Sequence, residues 1–216
     1  MKIALLGAES TGKTQLSLAM ADSLRARGLE VAVVPEVLRE WCAREGRVPR
    51  PEEQLPIAQE QERRVDQAAA SASIVIADTT ALMTAIYSAM LFEDGALYRF
   101  ALERQRGYDV TLVTGLDLPW VADGLFRDGP HVREPVDALV RGALADGDIA
   151  YRTVYGVGDE RLRNALAAVD SAWDGRSAEA NAKPWVWVCD KCSDPQCEHR
   201  LFTALSDSPA AGRRGR

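Results

Sequence analysis

The stretch GAESTGKT, residues 7–14, constrains the fold more than any other in the chain. It follows an apolar run, Lys2–Leu6, and leads into a helical pattern over Lys13–Arg27 that Gly28 closes. A strand, a glycine loop ending Gly-Lys-Thr and a helix make up the phosphate-binding arrangement of P-loop proteins. Gly7 and Gly12 let the backbone curl so that the N–H groups of Glu9, Ser10, Thr11 and their neighbours face a single anion, and the following helix adds its positive end. Lys13 is then expected to reach the β- and γ-phosphates of ATP, and the Thr14 hydroxyl to ligate Mg²⁺.

Beyond the loop, short apolar runs alternate with longer helical patterns, the rhythm of a parallel sheet covered by helices. Strands are expected at Glu30–Val34, Ser73–Ala77, Val110–Thr114 and Ala150–Val154, which with Lys2–Leu6 makes a five-stranded sheet. Helices are expected from Pro35–Arg44, Glu52–Ser71 and Arg161–Trp173, with a proline-bearing loop at Gly46–Pro51. The fold class is therefore α/β: a P-loop NTPase with a parallel five-stranded sheet flanked by helices and a small C-terminal Cys/His-rich extension. We expect a kinase-type domain over 1–173, a polar linker over 174–183, a small unit over 184–205 and a disordered end over 206–216.

A net charge of −6 argues against a broad nucleic-acid surface, which needs clustered Lys and Arg. No apolar run approaches the roughly 20 residues of a membrane span, and the opening MKIALLG lacks the pattern of a secretory signal. The expected location is the cytoplasm, the expected partner a small molecule with neither nucleic acid nor membrane, and a homo-oligomer stays open.

Several side chains stand where chemistry would need them. The third strand runs into Asp78, a carboxylate beside the loop that can hold Mg²⁺ directly or through water, or act as a helix cap. The second strand ends in PEVLREW, putting Glu36 near an acceptor hydroxyl as base or anchor, with Arg39 one turn on to pair with it or touch phosphate. A solvated helix start is the plain alternative. In the long helix from Glu52 the apolar stripe reads Leu55, Ala58, Val65 and Ala69, with Gln59 and Glu62 inside it. Gln59 is a candidate substrate contact, unless these positions are merely a helix edge. Residues 118–140 mix Gly, Asp and Arg before turning helical at Glu134, as a lid closing over ATP would. Arg127 and Arg133 would bring positive charge to the transferring group, the alternative being a surface loop.

In the order and spacing of GAESTGKT, PEVLREW, IVIADTTALMTAIYSAMLFED and YDVTLVTGLDLPWVADGLFRDG, the chain resembles the ribosylnicotinamide kinase domain of NadR-type proteins over roughly residues 2–170. The resemblance implies a nucleoside-kinase-like fold that phosphorylates the 5′-hydroxyl of nicotinamide riboside to nicotinamide mononucleotide. It implies Lys13 and Thr14 on ATP-Mg²⁺, Asp78 supporting the metal, Glu36 or Asp78 on the ribose hydroxyl, and Asp123, Arg127 and Arg133 in the lid. The family often places an aromatic directly after the strand-two glutamate, where this chain has Val37; Trp41 or Trp120 would have to stack on the nicotinamide instead, or be core. NadR-type proteins commonly add an adenylyltransferase domain, which a chain opening on the P-loop strand is not expected to carry. Two rivals remain: a kinase for another nucleoside or metabolite, and a nucleotide-dependent regulatory ATPase with a docking tail.

The tail is read on its chemistry alone. In CDKCSDPQCEH, residues 189–199, Cys189, Cys192, Cys197 and His199 have the type and spacing of a tetrahedral structural Zn²⁺ site, against reduced thiols in a loose tail or a redox role. Cys42, alone in a helical pattern, is expected to be a buried or half-buried, unreactive thiol.

Overall fold

The computed structural model describes residues 1–93, 95–121 and 129–181, with side chains described as far as residue 174. The chain divides into Met1–Gly175, a compact α/β unit, and Arg176–Arg216, of which only the last turns of a helix are described. The elements are β1 (Lys2–Leu6), α1 (Lys13–Ala26), β2 (Val31–Val34), α2 (Val37–Glu45), α3 (Pro51–Ala69), β3 (Ile74–Asp78), α4 (Ala81–Phe92) and α5 (Leu97–Gln105). Then follow β4 (Val110–Thr114), a single 3₁₀ turn (Pro130–Val132), α6 (Arg133–Asp146), β5 (Arg152–Val154) and α7 (Asp159–Asn181).

All four strand pairings are parallel, in the order β2-β3-β1-β4-β5. The first strand therefore lies in the middle, between β3 and β4. Such strands are covered on both faces, which is why they read as continuous apolar runs rather than alternating ones. Side chains along them nonetheless alternate between two cores. Ile3, Leu5, Ile74, Ile76 and Leu112 pack with Leu16, Met20 and Leu24 of α1 and Ala165 and Val169 of α7. On the other face Leu6 and Val113 meet Leu82 and Ile86 of α4 and Val140 and Leu144 of α6. Val34, Val75 and Ala77 meet Val65 of α3. Each Val, Leu, Ile or Met among them contributes about 1.5–3 kcal/mol by leaving water.

Helix ends follow local chemistry. Gly28, at φ +83, donates to the Arg25 carbonyl and stops α1 where the glycine was expected to. Pro51 occupies the first position of α3, where a missing N–H is harmless. Glu53 reaches back to the Arg50 N–H at 2.7 Å and takes both ends of the Arg47 guanidinium at 2.7 Å each.

Three expectations are corrected. The last helix, expected to end at Trp173, continues as α7 as far as Asn181. The added segment has no proline before Pro184, and its Ala, Arg and Glu are helix formers that outweigh one glycine. Second, the inward face of α3 is only partly the expected one: Ala58, Glu62 and Val65 are buried as expected, joined by Gln54, Ile57 and Gln61, while Leu55 is 42% exposed and Gln59 and Ala69 are exposed. Half of the buried stripe is polar, so apolar spacing alone traced only part of it. Third, the helix after Asp78 is capped by the Thr80 hydroxyl, which accepts from the Leu82 N–H, and not by Asp78.

Candidate active site

The sheet order brings three strand ends together around the loop at Gly7–Thr14. Gly7 has φ +139, and a Cβ there would fall inside contact distance of the Thr114 hydroxyl at the end of β4. Only glycine lets the chain leave β1 this close to its neighbour. The Thr114 and Thr11 hydroxyls lie 2.7 Å apart, with the Leu6 carbonyl 3.1 Å from Thr114 and the Ala8 carbonyl 2.8 Å from Thr11, so their two protons are shared among three contacts. Ser10 (φ +55) exchanges hydrogen bonds with the Val121 backbone, at 3.1 Å to its carbonyl and 2.8 Å from its N–H. Gly12, at φ +75, opens α1.

Arg161, buried at the start of α7, supports this loop from beneath. Its guanidinium donates to the carbonyls of Thr11 (2.9 Å), Gly115 (3.3 Å) and Gly156 (3.0 Å) and to Asp117 (2.9 Å). One cation thereby joins the P-loop to the turns after β4 and β5. Burial opposes ionisation of Asp117, yet bonds from Arg161 and the Gly156 N–H outweigh it and hold that carboxyl below its ordinary range. Thr114, Asp117 and Arg161 were not anticipated from sequence, because no periodicity marks which residue of a loop turns inward.

Lys13 is buried, its ammonium donating to the Gly7 and Ala8 carbonyls at 2.9 and 2.8 Å. It is thus held at the lip of the nest that its own loop forms. Thr14 meets Asp78: the hydroxyl donates to Oδ2 at 2.5 Å. Register explains the meeting, since Asp78 pairs with Leu5 of β1 and the chain at Thr79 is pinned by a 3.1 Å bond from its N–H to the Leu5 carbonyl. The other Asp78 oxygen, Oδ1, is buried and has no hydrogen-bond partner among the described residues. A hydroxyl and a carboxylate with an unsatisfied oxygen form a hard, oxygen-only donor pair that suits Mg²⁺, which takes its remaining ligands from phosphate and water. Among the described residues no group of three or more His, Cys, Asp and Glu is gathered as a metal site.

Glu36 precedes α2 at the end of β2, its side chain 12% exposed, and pairs with Arg39 at 3.3 Å. Val37 is buried beneath it. Trp41, half-buried one turn on, has the Arg47 guanidinium over its ring at 4.7 Å. Trp41 lines a groove of about 370 Å³ between α2 and α3. Cys42 is half-buried, and burial, with Glu36 nearby, raises its thiol above the ordinary value. Trp120 is half-buried with its indole N–H enclosed and unpartnered among the described residues. Arg133 opens α6, largely buried; one guanidinium N–H donates weakly to the Leu116 carbonyl at 3.4 Å and its Nε has no described partner. Gln59 lies on the outer face of α3. Asp123, Arg127, Cys189, Cys192, Cys197 and His199 lie outside the described residues.

Sheet order, the glycine loop between β1 and α1, and the Thr14–Asp78 pair define an α/β protein of the P-loop kind. The family model described as an AAA domain (AAA_28) matches residues 2–161, and the chain belongs to that family. No curated protein sequence matches it. Among solved structures it resembles NadR protein in complex with NR, at 19% identity and a TM-score of 0.65 over 79% of this chain and 50% of that one. A second structure, NadR protein in complex with NAD and AMP-PNP, matches at 19% identity and a TM-score of 0.62 over 86% and 51% of the two chains. Deoxyadenosine kinase from M. mycoides, with products dCMP and dCDP bound, matches at 15% identity and a TM-score of 0.52 over 79% of this chain and all of that one. The chain therefore shares its fold with these structures, and it spans about half the length of the NadR structures it matches.

Proposed function

We propose that the protein transfers the γ-phosphoryl group of ATP to a small hydroxyl acceptor, and that the acceptor is the 5′-hydroxyl of nicotinamide riboside. The observation that carries the reading is the Thr14–Asp78 contact beside the P-loop, with one Asp78 oxygen buried and unpartnered. The motif resemblance to NadR-type kinase domains, and the shared fold, support the choice of acceptor.

In this reading Thr14 and Asp78 hold Mg²⁺, which when bound neutralises charge on the β- and γ-phosphates. Lys13 exchanges its two loop carbonyls for phosphate oxygens, while the N–H groups from Gly7 to Gly12 surround the β-phosphate. Glu36 orients the acceptor hydroxyl and receives its proton, with Arg39 fixing the carboxylate. Arg133 contributes positive charge from the start of α6, and Asp123 and Arg127 complete a water-excluding lid. Trp41 and Trp120 are the aromatics available to stack on a nicotinamide, Val37 being buried. The kinase domain spans 1–173 and 184–205 form a small structural Zn²⁺ unit, which metal analysis of protein purified without chelator tests.

A panel of nucleosides incubated with Mg²⁺-ATP, with products identified by mass, tests the acceptor. Turnover of nicotinamide riboside exceeding that of deoxyadenosine and other nucleosides is expected. A different preferred acceptor would replace nicotinamide riboside, and slow hydrolysis with all of them would replace the kinase.

A further inference from the structure

Two consecutive buried polar residues of α3 have no part in the site described so far. Gln61 is 2% exposed and Glu62 is 3% exposed. Neighbours in a helix point about 100° apart, so the two reach different elements. Gln61 Oε1 accepts the Val37 N–H at 2.8 Å; Glu62 Oε1 accepts the Ala81 N–H at 2.9 Å. Each donor is the first N–H of its helix, a group without an intrahelical partner. Val37 directly follows Glu36, and Ala81 follows Asp78 by three residues. The same dipeptide thus ties down the backbone beside both candidate carboxylates.

The surroundings show that the arrangement is specific. Glu62 is braced from behind by the Tyr108 hydroxyl at 3.2 Å and by Arg104 at 3.6 Å, and Arg104 in turn pairs with Asp66. The turn that Glu62 holds is strained, with Thr79 at φ +72, and Thr80 is fixed on its other side by a 2.6 Å bond to Gln105. Gln61 keeps its carbonyl bond although its amide nitrogen is buried with no partner among the described residues. An apolar residue would avoid that unsatisfied donor, so the bond to Val37 accounts for an amide here.

We propose that Gln61 and Glu62 are positioning residues: a two-pronged brace on α3 that fixes the separation of Glu36 and Asp78, and hence of acceptor hydroxyl and metal. The inference rests on the kinase reading above.

The test uses the full chain, with ATP and nicotinamide riboside as probes, and reads each prong separately. Gln61→Met removes only the acceptor for Val37; KM for nicotinamide riboside should rise about tenfold or more while the Mg²⁺ requirement for binding a fluorescent ATP analogue stays unchanged. Glu62→Met should do the reverse, raising the Mg²⁺ requirement about tenfold with the riboside KM unchanged. Glu62→Gln, which keeps an acceptor oxygen, restores it, and Glu62→Asp, one methylene short of Ala81, is a milder variant with the same direction. Amide exchange should quicken at Val37 in the first variant and at Ala81 in the second. Equal shifts of both constants in both variants, or lowered melting temperature with both constants unmoved, would overturn the brace. Wild-type protein that binds Mg²⁺-nucleotide but does not phosphorylate the riboside refutes the acceptor alone, since the Mg²⁺ and amide-exchange arms still read the brace. Wild-type protein that binds no nucleotide overturns both readings.

Discussion

At the scale of single residues, the account turns on positions where one atom decides the outcome. Gly7 leaves β1 at φ +139 against the Thr114 hydroxyl, so Gly7→Ala should destabilise the protein by about 2 kcal/mol or more, measured by urea unfolding. Asp78→Asn keeps an oxygen for Thr14 but loses the charge on which the proposed Mg²⁺ site rests. Its fold should persist by circular dichroism, while kcat for phosphoryl transfer falls about 10²-fold or more. Gly7 and Asp78 were legible in sequence because each belongs to a contiguous pattern, a glycine loop between strand and helix and an acid ending an apolar strand. Arg161 was not: it bonds carbonyls of Thr11, Gly115 and Gly156, and carbonyls carry no sequence signature.

Elements follow apolar periodicity where the periodicity is unmixed. The central strands β1, β3 and β4 are buried on both faces, and all five strands lie within two residues of where the apolar runs put them. Ile76→Ala at the centre of β3 should cost about 2–5 kcal/mol, whereas Leu18→Ala on the open side of α1, 52% exposed, should change stability by about 0.5 kcal/mol or less. The long helix α3 shows the limit of that method. It buries Gln54, Gln61 and Glu62 beside Ile57, Ala58 and Val65, so its inward face is as polar as it is apolar; the expected positions Ala58, Glu62 and Val65 lie on it, and Leu55, Gln59 and Ala69 do not. On the outer face Arg63, then Arg64, bond Glu60 and hold its carboxyl down from 4.5 to about 2. A carboxyl lowered by folding lends stability above its unfolded value and loses it as pH falls. Glu60 should therefore stay charged at pH 3 in a carbon-detected titration and protonate only toward about 2, its small support of α3 fading from 4.5 downward. Because these three side chains are partly to largely open to solvent, molar salt should bring that value back toward normal.

For the whole molecule, the parallel order β2-β3-β1-β4-β5 places the loop after β1 between the ends of β3 and β4, with the end of β2 one strand further out. That order could be inferred from the alternation of strands and helices only as a class. The strand neighbours that join Thr14 to Asp78 come from register, with Leu5 opposite Asp78. The acceptor side has no such anchor in the sequence, for a pocket between helices is built from side chains whose direction is set by packing. The central claim is transfer of phosphoryl to a small molecule rather than to water. Incubating the full chain with Mg²⁺, nicotinamide riboside and ATP labelled in its γ-phosphate, then partitioning the label, measures this directly. The account predicts most of the label in nicotinamide mononucleotide and little in inorganic phosphate. Label found almost wholly in inorganic phosphate, at a rate indifferent to the riboside, would contradict it.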